Sequence, residues 1–190
     1  GDRATGAALL REARDRAACR EWVRLLGANQ WLRYCVPGAF GGALPALDSR
    51  ALVVLRETFA FHSPLADFAF AMQGLGSGAI TLAGTPGQQA AYLPQVARGE
   101  KIAAFALSEP DAGSDAGAMK TIASYADNTP ANGQFGFEIT GEKTWISNGG
   151  LADFYVLFAK TAPDLGTRGV SAIIIDVPKH GLDDSENMQV

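Results

Sequence analysis

The 190 residues read as an α+β chain, an all-α helical domain followed by an antiparallel β domain. Three observations carry that reading. Apolar residues up to about Glu100 recur at helical spacing between good capping residues. From Lys101 onward the period falls to two, in short runs separated by clusters of turn-forming residues. Helices and strands do not alternate, so nothing in the pattern suggests repeated βαβ units. The expected domains are residues 1–100, helical, and residues 101–190, a β domain that is incomplete.

The helices follow from their own punctuation. Residues Ala7 to Leu26 place Leu9, Leu10, Ala13, Ala17, Val23 and Leu26 roughly on one face, with Arg and Glu opposite, and Gly27 interrupts the pattern. Pro37, Gly38, Gly41 and Gly42 mark a loop. Asp48 or Ser49 can cap a second helix that turns Ala51, Val54, Leu55, Thr58 and Phe59 inward. Pro64 opens a third, very apolar helix running to about Ala83. Thr85, Pro86 and Gln88 form the clearest start, a cap, a first-turn proline and a capping-box partner, and that helix stops at Gly99.

The strand-like runs are the one around Ile102 to Leu107, then Met119 to Tyr125, Gln134 to Thr140, Lys143 to Ser147, Phe154 to Ala159 and Val170 to Val177. Asp127 to Gly133 and Ala162 to Gly169 are turn clusters between them. Ile173 to Ile175 look like an interior strand, and Asp183 to Val190 trails off without a capping element. A sheet of this kind is not expected to end on an open edge.

Composition excludes several classes of function. A net charge of −4 offers no basic field for nucleic acid. The apolar run Phe68 to Leu82 is broken by Gln73, Ser77 and glycines, and no stretch approaches the roughly 20 residues of a membrane span. Cys19 and Cys35 lack metal-ligand spacing, and a reduced, cytoplasmic compartment is the simplest reading. His62 and His180 have no partner in register for a metal. The start at Gly1, without methionine or a signal-like segment, reads as a trimmed product. Arg11, Arg14 and Arg16 with Glu12 and Asp15 read as a solvated helix face.

Two segments carry chemistry. In Phe105 to Asp115 (FALSEPDAGSD) an apolar strand runs into a turn forced by Pro110 and Gly113, where Ser108, Ser114 and backbone N–H groups can face an anion or a heterocycle edge. In Gly141 to Gly150 (GEKTWISNGG) Trp145 offers a large apolar face beside the hydroxyl of Ser147. Each alone is equally an ordinary strand-end turn or a packed tryptophan. As an ordered pair they suit a flat aromatic cofactor, with donors for its polar edge and an apolar side chain for its face. Gly74-Leu75-Gly76-Ser77-Gly78 imitates a dinucleotide loop, but it is one residue short of the fingerprint, and no strand enters it. Small residues that let helices approach closely explain it better.

The paired segments resemble the flavin-binding segments of the acyl-CoA dehydrogenase family. The resemblance implies an N-terminal helical domain and part of the middle β domain, with the rest of that domain and a C-terminal helical bundle absent. It implies FAD as cofactor, contacted by Phe105, Leu107, Ser108, Gly113, Ser114, Trp145, Ile146 and Ser147. The aromatic matching Trp145 would pack on the isoalloxazine, and the hydroxyl matching Ser147, usually threonine, would bond near its reactive nitrogen. Ser114, Phe68, Ala71, Met72 and Leu75 would contact the acyl-CoA substrate, though plain helical core is the other reading of the α-helical four. Arg168 would approach the CoA, or is simply a surface arginine.

The implied reaction is α,β-dehydrogenation of an acyl-CoA thioester, with hydride passing to the flavin. The proton-accepting carboxylate is expected outside this chain, Glu109 being a local structural carboxylate, and Lys143 and Asn148 match the family pattern without an assigned role. Electron-transfer flavoprotein, or oxygen in an oxidase branch, would take the electrons, and the full-length protein would be a homodimer or homotetramer. Two other classes compete: a non-catalytic piece with an assembly role, and a nicotinamide-binding module on Gly74 to Gly78.

Overall fold

The structure, a computed structural model, describes residues 2–125 and 136–177, with side chains described from Arg14. The expected features at Asp127 to Gly133, Gln134, His180 and Asp183 to Val190, and the side chains of Leu9, Leu10 and Ala13, lie outside the described residues. Four α-helices precede the strands: α1 (Asp2–Ala28), α2 (Ser49–His62), α3 (Pro64–Ala83) and α4 (Pro86–Ala97). The expected loop between α1 and α2 contains two 3₁₀ turns, Trp31–Cys35 and Gly38–Phe40.

The helix starts obey local chemistry. Asp48 accepts from the backbone N–H of Arg50 and Ala51, and Ser63 accepts from that of Ala66 ahead of Pro64. Thr85 and Gln88 close a complete capping box. The described buried face of α1 is Cys19, Val23 and Leu26, while Ala17 points to solvent. Gly27 does not end α1. A Cβ there would lie 2.2 Å from the carbonyl oxygen of Arg98, so Gly27 lets the end of α1 seat against the end of α4. On α2 the packed residues are Leu52, Leu55 and Phe59, whereas Val54 and Thr58 are exposed. The expected inward stripe is therefore rotated, because α2 packs on α3 and the first 3₁₀ turn along a narrow seam and leaves Val53, Val54 and Phe61 outward.

The strands are β1 (Ala103–Ala106), β2 (Ile122–Tyr125), β3 (Phe137–Thr140), β4 (Phe154–Lys160) and β5 (Val170–Asp176). β4 is the centre, buried over most of its length. It pairs antiparallel with β5 over seven residues, parallel with β1, and parallel with β2 at Ile122–Lys160, while β2 and β3 form an antiparallel hairpin. The sheet is mixed where the sequence pattern suggested antiparallel pairing throughout. Parallel neighbours need only a long connection, and here residues 107–153, which carry the β2–β3 pair, provide it without an α-helix among the described residues. Lys143 to Ser147 forms no strand. Trp145 and Asn148 have φ of 57° and 64°, which no ladder accommodates.

The helices and sheet share one core in which Leu32, Phe70, Leu93, Val96, Phe154 and Val156 are essentially inaccessible. α3 lies against β1, and Tyr92 of α4 reaches β5 by donating to Asp176 (2.7 Å) under the Lys101 ammonium. The glycine cluster of α3 sits inside a helix, not in a phosphate-binding loop. A Cβ at Gly76 would meet Ala103 Cβ at 2.6 Å, whereas one at Gly78 meets nothing within 4 Å.

Gly76→Ala is expected to push α3 off β1 and destabilise by about 1–3 kcal/mol. Gly78→Ala, in open helical surroundings, is expected to stabilise by about 0.5–1 kcal/mol. Urea midpoints of the two variants, moving in opposite directions, check the assignment; a shift of like sign in both would overturn it.

Candidate functional site

β1 ends in a turn closed by two backbone bonds, Glu109 N–H to Ala112 O (3.0 Å) and Ala112 N–H to Glu109 O (3.1 Å). Pro110 and Asp111 form its tip, and Gly113, Ser114 and Asp115 follow in the open. The loop 141–150 lies alongside. Thr144 donates its N–H to Ser108 O (2.9 Å), and Lys143 Nζ donates to Leu107 O (3.0 Å) and to Glu109 Oε1 (2.8 Å). The two sequence segments are thereby brought into direct contact.

Glu109 is the most heavily engaged side chain of the site. Its buried carboxylate accepts from Lys120 N–H (2.6 Å), Thr121 N–H (3.1 Å), Thr121 Oγ1 (2.5 Å) and Lys143 Nζ. Burial pushes its pKa up, but the Lys120 N–H, the Lys143 ammonium and the Thr121 donors outweigh it and hold the carboxyl down at about 2. Glu109 is therefore an ionised structural carboxylate. The buried thiol of Cys35 is pushed up to about 12 by desolvation, so it is no nucleophile.

The edge of β1 is finished by side chains. Gln73 Oε1 accepts from Ala103 N–H (2.9 Å) and its Nε2 donates to Lys101 O (2.9 Å). Asn148 Nδ2 donates to Ala103 O (2.9 Å), and its Oδ1 accepts from Cys19 Sγ (3.6 Å). Gln73 was visible in the sequence only as a polar residue interrupting an apolar helix, which is itself the signal of a buried hydrogen-bonding role.

The expected site residues fall into distinct environments. Phe105 is half-buried with its ring 4.9 Å from that of Phe158. Leu107, Ser108 and Ser147 are half-buried, and Gly113 and Ser114 are exposed. Among the described residues the hydroxyls of Ser108, Ser114 and Ser147 make no side-chain hydrogen bond. Ile146 is in the hydrophobic core, so only its backbone can face a ligand. Trp145 is 84% exposed and touches no other ring among the described residues. On α3, Phe68, Ala71, Met72 and Leu75 form one stripe at i, i+3, i+4, i+7, with Phe68 and Leu75 exposed and the other two half-buried. Among the described residues no hydrogen bond or ring contact joins that stripe to the serine-bearing loops; what they share is β1, which α3 packs against through Gln73 and Gly76. Arg168 sits in the 3₁₀ segment Pro163–Gly169 and is exposed, and His62 is exposed at the end of α2.

Comparison with known proteins matches residues 4–100 to the acyl-CoA dehydrogenase N-terminal domain and residues 104–189 to the acyl-CoA dehydrogenase middle domain. An acyl-CoA dehydrogenase of Bacillus subtilis is 34% identical over 154 residues, 81% of this chain and 38% of that protein. A caffeyl-CoA reductase–Etf complex subunit of Acetobacterium woodii is 37% identical over 153 residues, 80% of this chain and 38% of that one. The chain thus spans about two fifths of the length of these relatives. Among solved structures, an acyl-CoA dehydrogenase of Bacillus anthracis complexed with FAD superposes with a TM-score of 0.68 at 34% identity, covering 83% of this chain and 25% of that one.

The carboxyl of Glu109 sets a pH dependence. Its folded value of about 2 lies below the ordinary 4.5, so its stabilisation is fully present above pH 4.5 and is lost as pH falls through 2. That difference corresponds to on the order of 3 kcal/mol. Glu109→Gln is expected to be less stable at neutral pH and to converge on the parent toward pH 2. Urea midpoints against pH measure this, and parallel curves for parent and variant would contradict it.

Proposed function

The chain belongs to the acyl-CoA dehydrogenase family, and on that premise we propose that it forms one wall of the FAD site, and part of the acyl site, of an oxidoreductase acting on the α,β carbon–carbon bond of an acyl-CoA thioester. The observation that carries the proposal is Trp145. A bulky residue held at φ 57° and 84% exposed is unfavourable on both counts. It is accounted for if a flat apolar ligand covers it.

The donor set fits FAD on the same ground. Three hydroxyls that make no side-chain hydrogen bond among the described residues, on Ser108, Ser114 and Ser147, lie on the two loops that Thr144 N–H to Ser108 O and the Lys143 ammonium hold together. In this reading Trp145 takes the ring face, Ser147 donates to the ring edge, and Ser108, Gly113 and Ser114 serve the polar edge and pyrophosphate. Phe105 and Leu107 supply apolar backing, and Ile146 contributes only backbone. FAD, when bound, supplies the hydride acceptor. Phe68, Ala71, Met72 and Leu75 offer an apolar stripe for the acyl chain, and Ser114 a hydroxyl for the acyl-CoA. Holding the thioester in near-attack geometry is the chief contribution of such walls.

Glu109 is withdrawn from proton transfer by its four donors, and the resemblance to the family assigns the base to a carboxylate outside Gly1–Val190. Electron-transfer flavoprotein is the proposed redox partner, supported by the Acetobacterium relative, which is a subunit of a reductase–Etf complex. A nicotinamide module on Gly74–Gly78 is set aside, since those residues lie within α3.

The full-length protein is expected to purify yellow, with close to one FAD per chain. Ser147→Ala is expected to weaken FAD retention by about 0.5–1.5 kcal/mol, and Ser147→Thr to leave it near the parent value. Flavin titration of the apoprotein reads both. A colourless protein that takes up no FAD would falsify the proposal, and equal retention by the Ala and Thr variants would remove Ser147 from the site.

A further inference from the structure

We propose that Glu109 and Lys143 are a positioning pair that sets the spacing between the two cofactor-contacting loops, an inference that rests on the flavin reading above. The pair joins three segments. Glu109 leaves the β1 turn, its carboxylate holds the backbone of Lys120 and Thr121 at the entry to β2, and Lys143 brings in the loop 141–150. Thr121 is itself tied to the central strand, since Lys160 N–H donates to Thr121 O (2.9 Å). A continuous path of short bonds therefore runs from β4 through Thr121, Glu109 and Lys143 to Trp145 and Ser147.

The geometry is specific to these side chains. Both charged heads are buried, with side chains 4% and 6% exposed, so neither gains from water what the other supplies. One ammonium serves Glu109 Oε1 and Leu107 O together, which fixes it over the strand end that precedes Ser108. Thr144 N–H to Ser108 O is the only other hydrogen bond between the Leu107–Ser114 and Lys143–Ser147 stretches among the described residues. Without the pair the two loops would hinge about that single bond, and Ser108 and Ser147 would lose their mutual register. Neither charged head points to solvent, so the pair acts on a ligand through the loops it holds.

The test separates positioning from simple stability. Glu109→Gln, Lys143→Met and the double variant are made in the full-length protein. FAD dissociation constants, the visible flavin spectrum and the urea midpoint of the apoprotein are then measured. Each single variant is expected to weaken FAD by on the order of 10- to 100-fold. The double variant, which leaves no uncompensated charge, is expected to recover much of the urea midpoint while keeping the weakened FAD affinity and a shifted flavin spectrum. A double variant with a recovered midpoint and parental FAD affinity and spectrum overturns the inference. Should the Met variants fail to fold, Lys143→Arg decides it. Its planar fork keeps the charge but does not place one head on both Leu107 O and Glu109, so weakened FAD supports the pair and parental FAD overturns it. A parent protein that binds no FAD sinks the flavin reading first, before any variant is compared.

Discussion

Glu109 and Lys143 are buried side by side, and the organisation of the β half around the candidate site depends on how that burial is made tolerable. An ion pair taken out of water costs more in lost hydration than its mutual attraction returns unless further hydrogen bonds complete it. Here the carboxylate has four donors and the ammonium a second acceptor in Leu107 O. Those extra partners are three backbone groups and the Thr121 hydroxyl, on two segments, and Lys143 itself brings in a third. The requirement to satisfy one buried charge pair therefore becomes a requirement on chain path, bringing the β1 exit, the β2 entry and the loop 141–150 to one place. An apolar pair of similar volume could fill the space without dictating that path.

Much of the helical half was legible because its signals are local. Asp48, Ser63–Pro64 and Thr85–Gln88 cap α2, α3 and α4 as their residue types require, and each effect acts within a turn. What could not be read locally was which side of a helix meets a neighbour. Val54 and Thr58 alternate with Leu55 and Phe59 at helical spacing, yet α2 packs only the latter against the core, half-buried, since the partner surface is set by α3 and the first 3₁₀ turn. The sheet failed for a related reason. Pairing between residues as distant as Ala103 and Phe154 leaves no trace in a two-residue period, and its parallel sense depends on the route of the intervening chain.

The site was legible as two motifs and illegible as a mechanism for joining them. Ser108, Ser114, Trp145 and Ser147 stood out by type and order, because hydroxyls and an indole in turns are chemically conspicuous. Glu109 reads as a local structural carboxylate and Lys143 as matching the family pattern without a role, but that the two are buried together, and that Gln73 completes β1, is invisible in a sequence. Gln73 within an apolar helix was a further clue. Its amide takes the place that a neighbouring strand would occupy at Lys101 and Ala103, and Asn148 does the same at Ala103 O from the other segment.

The Trp145 conformation follows from these anchors. A left-handed backbone at a bulky residue costs about 1–3 kcal/mol and persists only where its surroundings over-determine it. Thr144 before it is bonded to Ser108. Ile146 after it is locked in the core, and Asn148 is bonded to Ala103 and closes a turn with Leu151 and Ala152. With both flanks fixed, the indole cannot swing inward without breaking at least one of these attachments. The same bonds that secure the loop to the sheet thus hold a large apolar face outward beside an unengaged hydroxyl. Stability of the β half and presentation of the proposed cofactor surface are consequences of one set of contacts, which is why a change that relaxes the loop would be felt at the surface before it is felt in the core.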